Sequence, residues 1–178
     1  MEFKQLLEKR RSVRRFDATP VSRAVILDVL NMALTAPSAR NSRSTRFLVV
    51  DDRATIEKMS SMRDYGSAFM ANAPVAVVIM GDTTASDIWD DNCAISATIL
   101  QLACVEAGLA SCWVHVAGRP RRKDDPQGES AEEYLRTLLP IPDGCRVECI
   151  IAMGYSDFTP APLPEFDRSA AITWSTKE

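Results

Sequence analysis

Residues 73–82, APVAVVIMGD, are the stretch that most limits what this chain can become. Apolar residues follow one another without the polar alternation of a half-solvated strand, and a glycine closes the run. Such a segment suits a strand covered on both faces, so other elements must lie above and below it. The runs RFLVVDD, SCWVHVAG and CRVECIIAMGY read as further strands. Between them the period changes. EFKQLLEKR carries Phe3, Leu6 and Leu7 at helical spacing, and SRAVILDVLNMAL sets Ile26, Val29, Leu30, Ala33 and Leu34 on one face behind a Ser22 N-cap. One helical segment is expected over 56–71. A longer one is expected over 87–107, with Ile88, Ile95, Ile99, Leu102 and Val105 near a 3.6 period and Gly108 as its stop. At 1.5 Å per residue it would be roughly 30 Å long, enough to cross the domain. RPRRKDDPQGE reads as a solvated loop, and Ser130 with Glu133 forms a capping box ahead of YLRTLL. Strands separated by helices imply an α/β or α+β layer architecture.

The chain has 178 residues, which fits a single domain over 1–178 with residues 156–178 as a C-terminal extended arm. Phe166, Ile172 and Trp174 make that proline-rich arm too apolar for a purely solvated tail, so it is expected to pack on something, a second subunit being the best candidate. A net charge of -3 argues against a surface built for nucleic acid or an anionic membrane. No apolar run approaches the roughly 18 residues of a membrane span, and MEFKQLLEKRR lacks the apolar core of a signal peptide. The expectation is a cytoplasmic protein in which any anion site is local.

Five cysteines without a C-x-x-C pair make neither a disulfide framework nor a zinc ribbon, and Cys104, Cys145 and Cys149 sit in apolar runs as small hydrophobes. The single histidine, His115, excludes a histidine-based metal cluster, so no metal is expected. No nucleophile elbow lies near it, and a structural strand-end role is expected. There is also no G-x-G-x-x-G and no Walker A loop.

Two polar segments remain. In EKRRSVRRFD, Arg10, Arg11, Arg14 and Arg15 surround Ser12 where the first helix gives way to extended chain. Side chains two apart share a face, so Arg10, Ser12 and Arg14 can point together while Arg11 and Val13 point away. That is a fork for an anion such as phosphate, although the same charges suit a solvated helix end that complements the macrodipole. The second segment is APSARNSRSTRF, residues 36–47, which holds Pro37, Ser38, Asn41 and the cations Arg40, Arg43 and Arg46 between an apolar run and a strand.

RRSVRRF, APSARN, CAISATILQLACVEAGLASCWV, LLPIPDGCRVECIIAMGY and a proline-rich arm with Arg168, in this order and spacing, resemble the FMN-dependent nitroreductase family over nearly the whole chain. The resemblance implies an α+β flavoprotein fold with a central mixed or antiparallel sheet flanked by helices. It also implies an intertwined homodimer with one FMN at each subunit interface. By position, Arg10 would meet the phosphate, and Ser12 and Arg14 the ribityl chain and the pyrimidine edge. Arg11 would touch the cofactor through its backbone. Pro37, Ser38, Ala39 and Asn41 match a loop that approaches FMN from the partner subunit, and Arg168 a basic residue that closes on the phosphate. Cys112, Trp113 and Val114 align with a segment near the isoalloxazine. The implied reaction is a ping-pong cycle in which NADH or NADPH delivers a hydride to N5 of FMN and leaves, and a nitroaromatic, quinone or related small acceptor takes its place. The cofactor would perform the hard step, so no catalytic side chain is assigned.

Two departures stand out. Many family members continue after the asparagine as N-x-Q-P-W, whereas Asn41 is followed here by Ser42, Arg43, Ser44 and Thr45. A more cationic, less aromatic pocket would favour a negatively charged or small polar acceptor, and the same sequence equally suits Arg43 as a surface residue. Ala110 stands where the family often has glycine. Other chemistry on the same fold, such as dehalogenation, azoline oxidation or flavin fragmentation, and a flavin-binding protein without turnover are the alternatives.

Overall fold

The computed structural model describes residues 1–165 and 167–175; the expectation for Phe166 falls outside them. Strands β1 (Thr45–Val50), β2 (Val75–Asp82), β3 (Ala110–His115) and β6 (Cys145–Gly154) form one sheet in the order β1-β2-β6-β3, antiparallel throughout. Helices α2 (Arg23–Ala33) and α4 (Trp89–Glu106) cover one face, and α3 (Arg53–Ser60) and α5 (Ala131–Leu138) the other. β2 and β6 are central and covered on both sides, which is why their sequences run almost continuously apolar. Alternation divides β2 between two cores: Val75, Val77 and Ile79 face α2 and α4, while Ala76, Val78 and Met80 face α3 and α5. No helix among the described residues is long and apolar enough to cross a membrane.

Local signals hold at several ends. The Ser22 hydroxyl accepts the Val25 N–H, Ser130 and Glu133 close their capping box, and Gly108 ends α4 with φ 73°. Elsewhere the structure differs from expectation. The helix expected over 56–71 stops at Ser60 and is followed by turns, with Gly66 at φ 73°, and by a 3-10 turn over Ala68–Asn72. The solvated loop after β3 is a hairpin of β4 (Pro120–Arg122) and β5 (Asp125–Ser130). It is solvated as expected, but tertiary hydrogen bonds order it. The Asp64 N–H donates to the Arg121 carbonyl, and the Asp64 carboxylate accepts the Lys123 N–H. Leu34 lies beyond α2 and is exposed. Ala110 adopts ordinary strand backbone opposite Gly154, so alanine is accommodated there without strain.

The largest correction concerns α4. Most of the residues it buries are small or polar, among them Asn92, Cys93, Ser96, Ala97 and Cys104, with Leu100 the one large aliphatic fully buried. The aliphatics picked out by period lie elsewhere: Ile88 is 41% exposed and Ile95 40%. A helix apolar on both sides carries two apolar faces, and the period alone does not say which meets the sheet. Likewise α1 (Phe3–Lys9) forms as expected but buries none of its residues, leaving Phe3 and Leu7 in solvent.

Candidate functional site

After α1 the chain runs extended beside β3. Ser12 makes a parallel bridge to Ser111, and the Val13 N–H donates to the Ser111 carbonyl at 3.0 Å. Alternation then sorts the side chains. Val13 is buried, while Arg10, Ser12 and Arg14 converge on the other side around Cys112. Burial pushes the Cys112 thiol up, and the Arg14 charge, a Ser12 hydrogen bond and the Arg10 charge each pull it back. Arg11 turns away and donates to the Ala161 carbonyl, tying the C-terminal arm to the first helix end. Among the described residues no carboxylate pairs with Arg10 or Arg14. Two unpaired guanidinium groups and a hydroxyl beside an edge strand fit the phosphate and polar edge of a flavin nucleotide. Arg14 also lies over Phe69, 5.7 Å from the ring centroid. A cavity of about 540 Å³ opens beside Arg14, but Arg10, Ser12 and residues 37–41 do not line it.

The loop before β1 is built differently. Arg40, Asn41 and Arg43 take φ of 52°, 53° and 47°, a left-handed region costly for residues with a Cβ. Hydrogen bonds hold them there. The Ser38 hydroxyl accepts the Arg43 N–H at 2.9 Å, and the Ser38 carbonyl accepts the Asn41 N–H at 3.0 Å. Asn92, in the first turn of α4, accepts the Ala39 N–H at 2.9 Å and donates to Ser44 Oγ at 2.9 Å. Arg46 donates to the Arg43 carbonyl and pairs with Asp82 at 3.3 Å, so it serves the loop rather than a ligand. The Ala39 N–H is committed to Asn92, which leaves the Ala39 methyl and the Ser38 and Asn41 side chains on the loop surface.

Ser44 and Thr45, two of the residues standing where the common pattern has Gln-Pro-Trp, are buried against Asn92 and Ser96 of α4. Only Arg43 of that trio presents its side chain to solvent, with Nε 3.4 Å from Asn41 Oδ1.

These two polar segments do not meet within one chain. Ser12 lies beside Ser111, level with Met153 and Val75, whereas the loop enters the sheet at Thr45, level with Gly81 and Arg146 on the opposite edge strand. A Cβ on Gly81 would lie 2.5 Å from the Trp89 ring, so α4 starts at that same end. With strands about 4.8 Å apart and about 3.3 Å per residue along them, the segments sit roughly 25 Å apart, at diagonal corners of the sheet. That is farther than a fused three-ring system spans.

Of the other expected contacts, Trp113 is half-buried on the α2/α4 face, and Val114 is buried in the core against α3 and α5, so only its backbone edge is open to a ligand. Arg168 precedes the 3-10 turn Ser169–Ala171 in the arm, whose Ile172 and Trp174 are 62% and 82% exposed. His115 ends β3 stacked on Trp113 with centroids 6.4 Å apart. Burial, then the Arg119 and Arg63 charges, hold its pKa below the ordinary value, so it is neutral near pH 7. Asn92 was missed. Its only trace in the sequence is a polar residue beside Cys93 and Ala97 in a helix otherwise read for its aliphatics.

The chain matches the family described as "Nitroreductase family" over residues 7–62 and 58–155. A solved FMN-dependent nitroreductase from Clostridium difficile is 34% identical, with a TM-score of 0.88 over 97% of this chain and 98% of that one. A curated relative from Archaeoglobus fulgidus, provisionally named NADH dehydrogenase/NAD(P)H nitroreductase, is 31% identical over 85% of this chain and 83% of its own length. The fold also matches a structure from Desulfovibrio desulfuricans in complex with FMN, with a TM-score of 0.77, 21% identity, and coverage of 98% of this chain and 97% of that one.

Proposed function

Because the chain belongs to the nitroreductase family, we propose that it is an FMN-dependent oxidoreductase. It takes electrons from NADH or NADPH and passes them, in a ping-pong cycle, to a nitroaromatic, quinone or related acceptor. The observation that carries the reading is the alternation at residues 10–14. One buried valine forces two arginines and a serine together on the open side of the segment paired with β3, with no carboxylate among the described residues to neutralise them.

Arg10 binds the phosphate, Ser12 and Arg14 hold the ribityl chain and the pyrimidine edge, and the edge of β3 from Cys112 to Val114 lies along the ring. When bound, FMN supplies the two-electron chemistry that no side chain here can perform. The chain's own residues bind and orient it, and Arg14 sets a positive field at the edge where negative charge develops on reduction. Arg11 contributes backbone alone, since its side chain is engaged by the arm. Arg168 closes on the phosphate from the arm.

The functional unit is a homodimer. Pro37, Ser38, Ala39 and Asn41 are too far from Ser12 to share a flavin with it in one chain, so a second copy delivers them. The apolar faces left open on α1, on α4 and along the arm supply the surface for that copy: Phe3, Leu7, Ile88, Ile95, Ile172 and Trp174. The purified protein is expected to be yellow and to bleach with NADH or NADPH under anaerobic conditions. A colourless protein that FMN cannot reconstitute would rule the reading out, and a yellow one inert to both nicotinamides would favour binding without turnover.

A further inference from the structure

Asn92 is 2% exposed and sits in the first turn of α4, where the helix fixes its position over the end of β2. Its carbonyl accepts the Ala39 N–H at 2.9 Å, and its amide nitrogen lies 3.3, 2.9 and 3.2 Å from the hydroxyls of Ser42, Ser44 and Ser86. Two amide protons serve at most two of those hydroxyls at once, and the third turns its own lone pairs or proton elsewhere. The side chain therefore joins the start of α4, the β2–α4 connection and both ends of the loop that carries the left-handed residues Arg40, Asn41 and Arg43. Three residues with a Cβ in that region persist only where surrounding contacts over-determine them. Ser38 supplies one contact from inside the loop, and Asn92 supplies the anchor from outside it.

We propose that Asn92 is a positioning residue for the flavin site of the other subunit: it locks residues 38–44 into the shape that reaches across the dimer, without touching the cofactor itself. This rests on the reading of residues 37–41 as flavin contacts donated by the partner. It also explains why the loop is tied to α4 in addition to the Arg46 contact from its own strand. The helix whose outer aliphatics face the second copy carries, one turn away on its inner side, the group that shapes what is handed to that copy.

Two substitutions separate this role from a merely structural one. Asn92→Leu keeps the number and branching of the side-chain heavy atoms and removes both acceptor and donors, leaving the part-buried Ala39 N–H without its partner. Asn92→Asp keeps the acceptor, and the serine hydroxyls can rotate to donate. The Leu variant is expected to stay folded and dimeric, to bind FMN at least ten-fold more weakly, and to be cut faster by trypsin after Arg40 and Arg43. The Asp variant is expected to bind FMN within about three-fold of wild type.

The decisive arm mixes chains. A heterodimer of Asn92→Leu with Arg14→Ala should keep one tight FMN site, since both defects then fall in the same site and leave the other intact. Wild-type affinity in the Leu variant, loss of its fold, or a heterodimer without a tight site would each overturn the proposal. Failure of wild type to bind FMN would instead remove the functional reading, and the trypsin arm would still report whether Asn92 holds the loop.

Discussion

The two halves of the site are made by different physics. Residues 10–14 are positioned by backbone: a bridge to the edge strand fixes the register, one buried valine fixes the side facing out, and any residue pair at 10 and 14 would point the same way. Residues 38–44 are positioned mainly by side chains, through a serine, a buried asparagine and Arg46, which hold three left-handed residues in a loop outside the sheet. The first kind of half-site tolerates change in what it presents and is read from sequence by period. The second kind tolerates little change in its anchors, and one of them, Asn92, lies far away in sequence. On the proposed reading, their separation across the sheet makes the assembly part of the chemistry.

Removing the proposed second copy is expected to have the largest effect. Ile95→Glu puts a charge on the outer face of α4, where an unpaired charge at a closed interface costs on the order of 3 kcal/mol, or roughly 100-fold in association. Sedimentation should show weakened dimers, with flavin lost from both half-sites together. Within the backbone-positioned half, Arg10→Ala removes a charge-assisted contact of about 1.5 to 3 kcal/mol. FMN fluorescence titration should then show affinity lowered by roughly ten- to a hundred-fold, with the loop's trypsin sensitivity unchanged.

Arg14→Ala is expected to weaken binding less and to lower the flavin midpoint. About 2 kcal/mol of preference for the reduced form corresponds to roughly 40 mV for a two-electron couple. A redox titration giving the wild-type midpoint would remove Arg14 from that role. In the side-chain-positioned half, Arg43→Ala is expected to be the mildest change. It should leave FMN affinity intact and shift the turnover ratio of acidic to neutral nitroaromatics or quinones by a few-fold, about 1 kcal/mol at a solvent-exposed charge. Identical ratios would make Arg43 a surface residue.

Much of the fold was legible because its signals are local or periodic. The central strands announced themselves by continuous apolar runs, and the Ser22, Ser130 and Gly108 helix ends by cap chemistry. The arginine fork was legible for the same reason, since a period of two needs no tertiary information. What was missed needed contacts. The β4–β5 hairpin is ordered by Asp64, which lies in another segment. The outward turn of Ile88 and Ile95 depends on how tightly the small residues of α4 seat on the sheet, which leaves these two larger ones exposed. Asn92 gave no usable signal, because a single asparagine in a helix is ordinary until Ala39 and Ser44 are brought to it. The replacement of Gln-Pro-Trp by Arg43, Ser44 and Thr45 looked like a change of pocket. In the fold, Ser44 and Thr45 are inner contacts to Asn92 and Ser96, and only Arg43 remains a question of substrate.

On the proposed reading, neither half-site binds flavin without the other, and the two come from different copies of the chain. Titrating FMN at decreasing protein concentration, with flavin fluorescence read alongside the sedimenting mass, tests it most directly. Two FMN per dimer and release of flavin in step with dissociation of the dimer are expected. Flavin held by the monomer as tightly as by the dimer would contradict it.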